Sequence, residues 1–272
     1  MITFPNCKIN LGLNVVRKRE DGFHDIETAF LPVPFYDVLE IVSSSEETTE
    51  IITTGLTIIT DDENICLKAF RLLKNDFPSL PEIKIHLHKS IPIGAGLGGG
   101  SSDAASMLLL LNKKFNLQIE RKKLLSYSLQ LGSDCPFFII NKPCYARGRG
   151  EILQQINLSL SDYKMVLINP GIHINTSELF QLIKINTQTK PINEIIQQPV
   201  SAWKGELVND FEKIVFLRYP VIKKIKENLY KHKALYAAMT GTGSTVFGIF
   251  NKTDEINLFL EEEYFHRWFD LS

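Results

Sequence analysis

No stretch of these 272 residues strings together the roughly 18 apolar positions that a membrane-spanning helix needs, and Pro5 and Lys8 interrupt the N-terminus before an apolar leader could form. A spanning or targeted chain is therefore not expected, and a cytoplasmic one is. Charge of one sign is also lacking: 30 Lys and Arg stand against 31 Asp and Glu, for a formal net charge of −1. That balance excludes broad electrostatic attachment to nucleic acid or an anionic membrane, so any phosphate has to be held by local groups. Basic runs such as Arg17-Lys18-Arg19 and Arg121-Lys122-Lys123 read as solvated turn and helix faces. Cysteine is sparse, and Cys7, Cys66, Cys135 and Cys144 lie far apart with no C-x-x-C spacing. Neither a zinc site nor a disulfide framework follows; buried thiols in a reducing compartment do. Internal repeats and low-complexity segments are absent as well.

Glycine, by contrast, is concentrated in one place. Gly94, Gly96, Gly98, Gly99 and Gly100 fall within seven residues of Ile91-Pro92-Ile93-Gly94-Ala95-Gly96-Leu97-Gly98-Gly99-Gly100-Ser101-Ser102-Asp103. So much loss of side chains lets backbone N–H groups crowd around a ligand, and an anion is the ligand they suit. The flanks predict a strand over 82–93 and a helix over 103–113, with Ser101 and Ser102 as candidate caps. Strand, glycine loop and helix start together make a phosphate cradle. A Walker loop would follow its last glycine with Lys and then Ser or Thr, but Ser101 follows Gly100. Gly94, Gly96 and Gly99 match G-x-G-x-x-G, yet Ile83, Ile85 and Leu87 alternate with Lys84, His86 and His88, which suits a sheet with one solvated face. A second helix over 121–131 then stands where a βαβ unit needs its next strand, so the dinucleotide reading is set aside.

Elsewhere the pattern predicts a strand over 8–15, a turn at Asp21-Gly22, strands over 35–42 and 51–59, and a helix capped by Asp61 or Asp62. Lys89 reads as a solvated strand-end lysine. Pro136 biases Cys135 toward extended backbone, placing Asp134 where a helix gives way to a strand. Further on come a strand over 164–168, a helix capped by Asn175 or Thr176, Pro220 in the first turn of another helix, and a C-terminal helix over 254–269. The length and a 44% hydrophobic content suit two domains, with a boundary in the polar stretch 157–162.

The glycine segment with its Ser-Ser-Asp-Ala-Ala tail resembles the phosphate loop of the GHMP small-molecule kinases. Further motifs follow the same family in order along nearly the whole chain: Lys8-Ile9-Asn10-Leu11-Gly12-Leu13, Asp21-Gly22-Phe23-His24, Ser133-Asp134-Cys135-Pro136, Asn209-Asp210-Phe211-Glu212 and Thr240-Gly241-Thr242-Gly243-Ser244. The resemblance implies an α+β fold of two domains, residues 1–158 like domain 2 of ribosomal protein S5 and residues 159–272 ferredoxin-like, with ATP as co-substrate and Mg²⁺ as the metal. It implies nucleotide contacts from Lys89, near the adenine, and from Pro92, Ile93, Gly94, Ala95, Gly96, Leu97, Gly98, Gly99, Gly100, Ser101 and Ser102. It makes Asp134 the base that takes the acceptor hydroxyl's proton and Lys8 the partner that steadies the developing charge. In this form it further implies a cytidine-diphosphate-linked polyol as acceptor, contacted by Asn10, Phe23, His24, Thr176, Phe180, Gly241 and Gly243, the rings of Phe23 and Phe180 flanking the cytosine. Phe23 replaces the family's tyrosine, and threonine replaces two serines of the usual third motif. A sugar, homoserine or mevalonate acceptor would keep the loop without needing that clamp. A ligand-binding protein on the same fold could dispense with Asp134 and Lys8.

Overall fold

The computed structural model describes residues 1–58, 63–185 and 190–271. Its strands are β1 (Ile2–Thr3), β2 (Asn6–Lys18), β3 (His24–Tyr36), β4 (Val38–Ser43), β5 (Glu50–Gly55), β6 (Ile83–Lys89), β7 (Cys144–Arg147), β8 (Ile152–Gln155), β9 (Tyr163–Asn169), β10 (Tyr236–Met239), β11 (Val246–Asn251) and β12 (Phe265–Asp270). Its helices are α1 (Ile65–Asp76), α2 (Gly99–Lys114), α3 (Arg121–Leu131), α4 (Cys135–Ile140), α5 (Thr176–Leu182), α6 (Ile192–Ile195), α7 (Glu212–Arg218) and α8 (Pro220–Lys231). Two compact units interleave along the chain: one comprises Met1–Cys7, Pro34–Ile93 and Gly98–Lys142, the other Lys8–Val33, Gly94–Leu97 and Pro143–Ser272. The single cut expected after residue 158 falls inside the second unit.

In the first unit the sheet runs β1-β4-β6-β5, with β4 antiparallel and β5 parallel to β6. The alternation in β6 is realised, Ile83, Ile85 and Leu87 being buried while His88 is exposed. Helix α2 packs on α1, α3 and α4, and its Ala104, Met107, Leu108 and Leu111 are all buried. Asn64 caps α1, its side chain accepting from the Cys66 N–H (2.9 Å), whereas the expected caps Asp61 and Asp62 lie outside the described residues. The strand expected over 35–42 is divided at Asp37 between β3 and β4, and the one expected over 51–59 is described as β5.

The second unit holds two sheets, ordered β2-β3-β7-β8 and β10-β11-β9-β12. The Asp21-Gly22 turn closes the β2–β3 hairpin, with the Arg19 N–H donating to Phe23 O (2.8 Å). Strand β2 is buried on both faces from Asn6 to Val15, so its polar side chains Lys8, Asn10 and Asn14 are not the solvated face that alternation alone suggests. Strands β9 to β12 pair antiparallel, and Ile222, Ile225 and Leu229 of α8 pack with Val166, Ile168, Val246 and Phe250. The expected C-terminal helix is absent. Residues 254–261 carry no regular element, and β12 pairs with the edge of β9 in register from Phe265 opposite Asn169 to Asp270 opposite Lys164. An open ladder edge overrides helical periodicity here, because β preference depends on the neighbouring strand. Mainly antiparallel sheets, with the parallel pair β5–β6, and helices between them in sequence make the class α+β, as expected. All four thiols are buried and unbridged, and no helix among the described residues is long and apolar enough to cross a membrane.

Candidate functional site

The glycine loop joins β6 to α2, and its alternate glycines Gly94, Gly96 and Gly98 hold φ of +63°, +78° and +69°, the left-handed region that favours glycine. The constraint is tightest at Gly96, where an added Cβ would stand 2.1 Å from the Thr240 carbonyl oxygen. Gly98 is the N-cap, so α2 starts at Gly99 rather than Asp103, and Ser101 and Ser102 lie inside its first turn instead of capping it. The first helical bond runs from the Ser102 N–H to Gly98 O (2.9 Å), leaving the N–H groups of Gly99, Gly100 and Ser101 ahead of the intrahelical ladder at the positive end of the dipole. Ser102 is buried, and Gly100 is exposed with open space beside its Cα. Anion binding is the chemistry this arrangement supports.

Within the first unit, two supports converge on that helix start. Asp37, between β3 and β4, accepts from the N–H groups of Ser90 (2.6 Å) and Ile91 (2.9 Å) and pairs with the Lys89 ammonium, which also donates to Asp103 of α2 (2.7 Å). Lys89 is only 4% exposed, so it is no solvated strand end. Burial works against its charge, but Asp103 and Asp37 together hold its pKa above the ordinary lysine value. The Asp103 carboxyl is pushed up, first by burial and then by the Asp37 charge, against the pull of Lys89. The second support is α4. Pro136 stands in its first turn, where a missing N–H costs nothing, so a helix and not a strand follows Asp134, whose own backbone is helical at φ −83° and ψ −17°. Cys135 is buried, its thiol pushed up to about 12 by desolvation, and it hydrogen-bonds the Ser101 hydroxyl in the first turn of α2. Asp134, one residue earlier, is thereby held at the same end of α2 as the glycine loop, and its side chain does not cap α4.

Within the second unit, Lys8 and Asn10 meet the loop's central residues. The Lys8 ammonium donates to Asn10 Oδ1 (2.7 Å) and to Gly96 O (3.3 Å), and the Lys8 N–H donates to Leu97 O (2.9 Å). Thr240 completes the group: its hydroxyl accepts from the Asn10 N–H (2.9 Å) and lies 3.2 Å from Gly96 O. The turn between β10 and β11, which holds Gly241 and Gly243, is fixed by Asn209, whose amide donates to Met239 O and Gly241 O (both 2.8 Å). Thr176 reaches the same turn through its hydroxyl, 2.8 Å from that of Thr242, and Asn175 is the cap of α5, accepting from the Glu178 N–H. His24 and Phe180 stack with centroids 5.1 Å apart, Phe180 also meeting Phe211 edge-on. Burial lowers the His24 pKa, with Lys18 adding to the effect, so its imidazole is neutral at pH 7. Phe23 is 48% exposed, and the Arg149 guanidinium lies 3.7 Å from its ring centroid. The two rings expected to flank a base are thus engaged differently, Phe180 by His24 and Phe23 by Arg149.

Family models described as GHMP kinases N terminal domain and GHMP kinases C terminal match residues 64–142 and 196–262. A protein of Bacteroides fragilis (strain ATCC 25285) named 4-diphosphocytidyl-2-C-methyl-D-erythritol kinase is 50% identical over 259 residues, covering 94% of both chains. The chain belongs to the GHMP kinase family. As a member it is a phosphotransferase with ATP as co-substrate. A relative of the same name from Cytophaga hutchinsonii is 51% identical, again over 94% of each chain. A crystal structure of 4-(cytidine 5′-diphospho)-2C-methyl-D-erythritol kinase superposes with a TM-score of 0.76 at 29% identity, covering 91% of this chain and 89% of that one. Asp37 and Asp103 in the first unit, and Arg149, Asn209 and Thr240 in the second, are partners of expected site residues that the sequence did not mark as such. Asn209 and Thr240 sit inside quoted motifs, whereas nothing local distinguishes Asp37.

Proposed function

We propose that the chain transfers the γ-phosphoryl group of ATP to the 2-hydroxyl of 4-diphosphocytidyl-2-C-methyl-D-erythritol, a cytoplasmic step in making isoprenoid precursors without mevalonate. The observation that carries the acceptor's identity is the neutral His24 ring stacked on Phe180 in a kinase of this family: a sugar, homoserine or mevalonate acceptor has no base for such a pair to recognise. His24 supplies hydrogen bonds to the edge of the cytosine while Phe180 and Phe23 offer ring faces, and Thr176 and the Gly241–Gly243 turn line the same substrate. The loop N–H groups from Gly94 to Ser101, with the Ser102 side chain beside them, receive the nucleotide phosphates. Asp134 takes the proton from the acceptor hydroxyl, and Lys8, oriented by Asn10, offsets the charge that develops. Phosphoryl transfer needs little covalent help, so positioning and electrostatics supply most of the barrier reduction.

Mg²⁺ fits this site as a metal carried by the nucleotide. No group of three His, Cys, Asp or Glu that could cage a metal occurs among the described residues, and Mg²⁺ is commonly held by substrate phosphates, water and one or two protein oxygens. Ser102, in the first turn of α2, is the residue that would make such a contact, and the ion would supply neutralisation of phosphate charge. The deciding experiment incubates the purified chain with labelled ATP and a panel of acceptors, with and without Mg²⁺. Label should pass to the cytidyl substrate and only with the metal; turnover of galactose, homoserine or mevalonate in its place would refute the assignment.

A further inference from the structure

The loop's two ends are tied to each other by a buried group that has no direct part in the chemistry proposed above. On the strand side, one carboxylate oxygen of Asp37 receives two consecutive backbone N–H groups, those of Ser90 and Ile91, where the chain leaves β6. On the helix side, Asp103 lies one turn inside α2. Lys89 spans the two, its ammonium in contact with both carboxylates. All three side chains are at most 4% exposed. The ammonium also lies directly under the helix start, 3.4 Å from where a Cβ on Gly99 would stand.

Groups buried this deeply are expensive to leave unpaired, so such a cluster holds its geometry firmly once formed. Two carboxylates to one ammonium is not the arrangement that neutralises best, and Asp103 Oδ1 has no hydrogen-bond partner. The excess acid has a positional role instead. One carboxylate is needed at each end of the loop, and one cation is needed to join them.

We propose that Asp37, Lys89 and Asp103 form a clamp that closes the base of the glycine loop and sets the spacing of its N–H groups for nucleotide phosphate. Lys89 is then a positioning residue that acts through the loop rather than a contact to the adenine. This rests on the nucleotide reading of the loop given above. The acceptor is recognised by other residues, so loosening the clamp should weaken one substrate and not the other.

Calorimetry on the full chain with MgADP, and separately with the cytidyl substrate, tests this. Asp37→Ala removes both loop bonds and one end of the clamp, and should weaken MgADP by about 10- to 100-fold, the range for losing hydrogen bonds to a charged group. Asp37→Asn keeps an acceptor for Ser90 and Ile91 and should recover most of that loss. Cytidyl affinity should stay within about twofold of wild type in both. Should Asp37→Ala fail to fold, Asp103→Asn, which keeps shape and removes the charge that holds Lys89 from the helix side, should weaken MgADP alone by several-fold. Equal losses for both ligands, or wild-type MgADP affinity in folded Asp37→Ala or Asp103→Asn, would overturn the clamp while leaving the nucleotide reading intact. A wild-type chain that binds no adenine nucleotide would overturn both.

Discussion

Replacing Gly100 by alanine separates the loop's two burdens, keeping its own shape and admitting a phosphate. Gly100 has helical backbone in the first turn of α2, and a Cβ there would meet nothing within 4 Å. The folded chain should therefore gain about 0.5–1 kcal/mol, because alanine loses less backbone entropy than glycine on folding. For a chain of this size that is roughly 1–4 °C in Tm. The new methyl group nevertheless stands beside N–H groups that the proposal assigns to phosphate. Displacing one charge-assisted hydrogen bond costs about 1.5–3 kcal/mol, or about 10- to 100-fold in nucleotide affinity. Gly96→Ala is the control with the opposite signature. Its left-handed φ costs about 1–2 kcal/mol, and pushing the Thr240 carbonyl away from 2.1 Å adds about 1–3, so stability should fall. Gly98→Val separates nothing, since Gly98 is itself left-handed at +69°. Differential scanning calorimetry and nucleotide titration read both quantities. Unchanged nucleotide affinity in a stabilised Gly100→Ala chain would refute the cradle.

Asp134→Asn should lower kcat by about 10²–10⁴-fold with both substrates still binding, and Lys8→Ala should act on the same step. In single-turnover rates the double mutant should lose much less than the product of the single losses; fully multiplicative losses would mean that the two act independently. Phe180→Ala should weaken the cytidyl substrate by roughly 1–3 kcal/mol, the range for base stacking on an aromatic ring, while ATP affinity holds. Equal losses for both substrates would make the ring, stacked on His24 and packed against Phe211, a core residue only. Asp103 predicts a pH signature of stability. Its carboxyl is raised from 3.8 to about 7 by burial and the Asp37 charge, with Lys89 opposing and the Cys66 thiol nearby. Between those values the folded chain binds more protons than the unfolded one, so this group's contribution is greatest below pH 3.8 and declines as pH rises toward 7. Asp103→Asn should remove that decline from a series of urea midpoints, and an identical pH slope in the two proteins would refute it.

Much of this molecule is written locally. The period-2 alternation of β6, the bounds of α3 at Arg121 and Leu131, the Asp21-Gly22 turn, the Asn175 cap and the place of Pro220 all follow from patterns a few residues long, and each is found where those patterns put it. The glycine loop belongs with them, since five glycines ahead of a helix restrict what the backbone can do whatever surrounds it. Where local signals conflicted with a neighbour, the neighbour prevailed. Pro136 discouraged helix at Cys135, but Pro is accommodated in a first turn, and α4 formed. Helical spacing over 254–269 yielded to the edge of β9.

What the residues determined by themselves was thus a set of elements, a glycine loop of the kind that suits an anion, and motifs resembling a family. Only the tertiary structure decided the partners. Lys89 looks like any strand-end lysine until Asp37, 52 residues earlier, and Asp103, 14 residues later, enclose it. Gly96 must be glycine because Thr240, 144 residues on, lies against it. Asn209 acts as a brace for Gly241 only because β10 ends beside it. Periodicity and turn chemistry are properties of neighbouring residues and survive in any window of the chain. The pairing of a buried charge with its counter-charge is a property of topology, which no window contains.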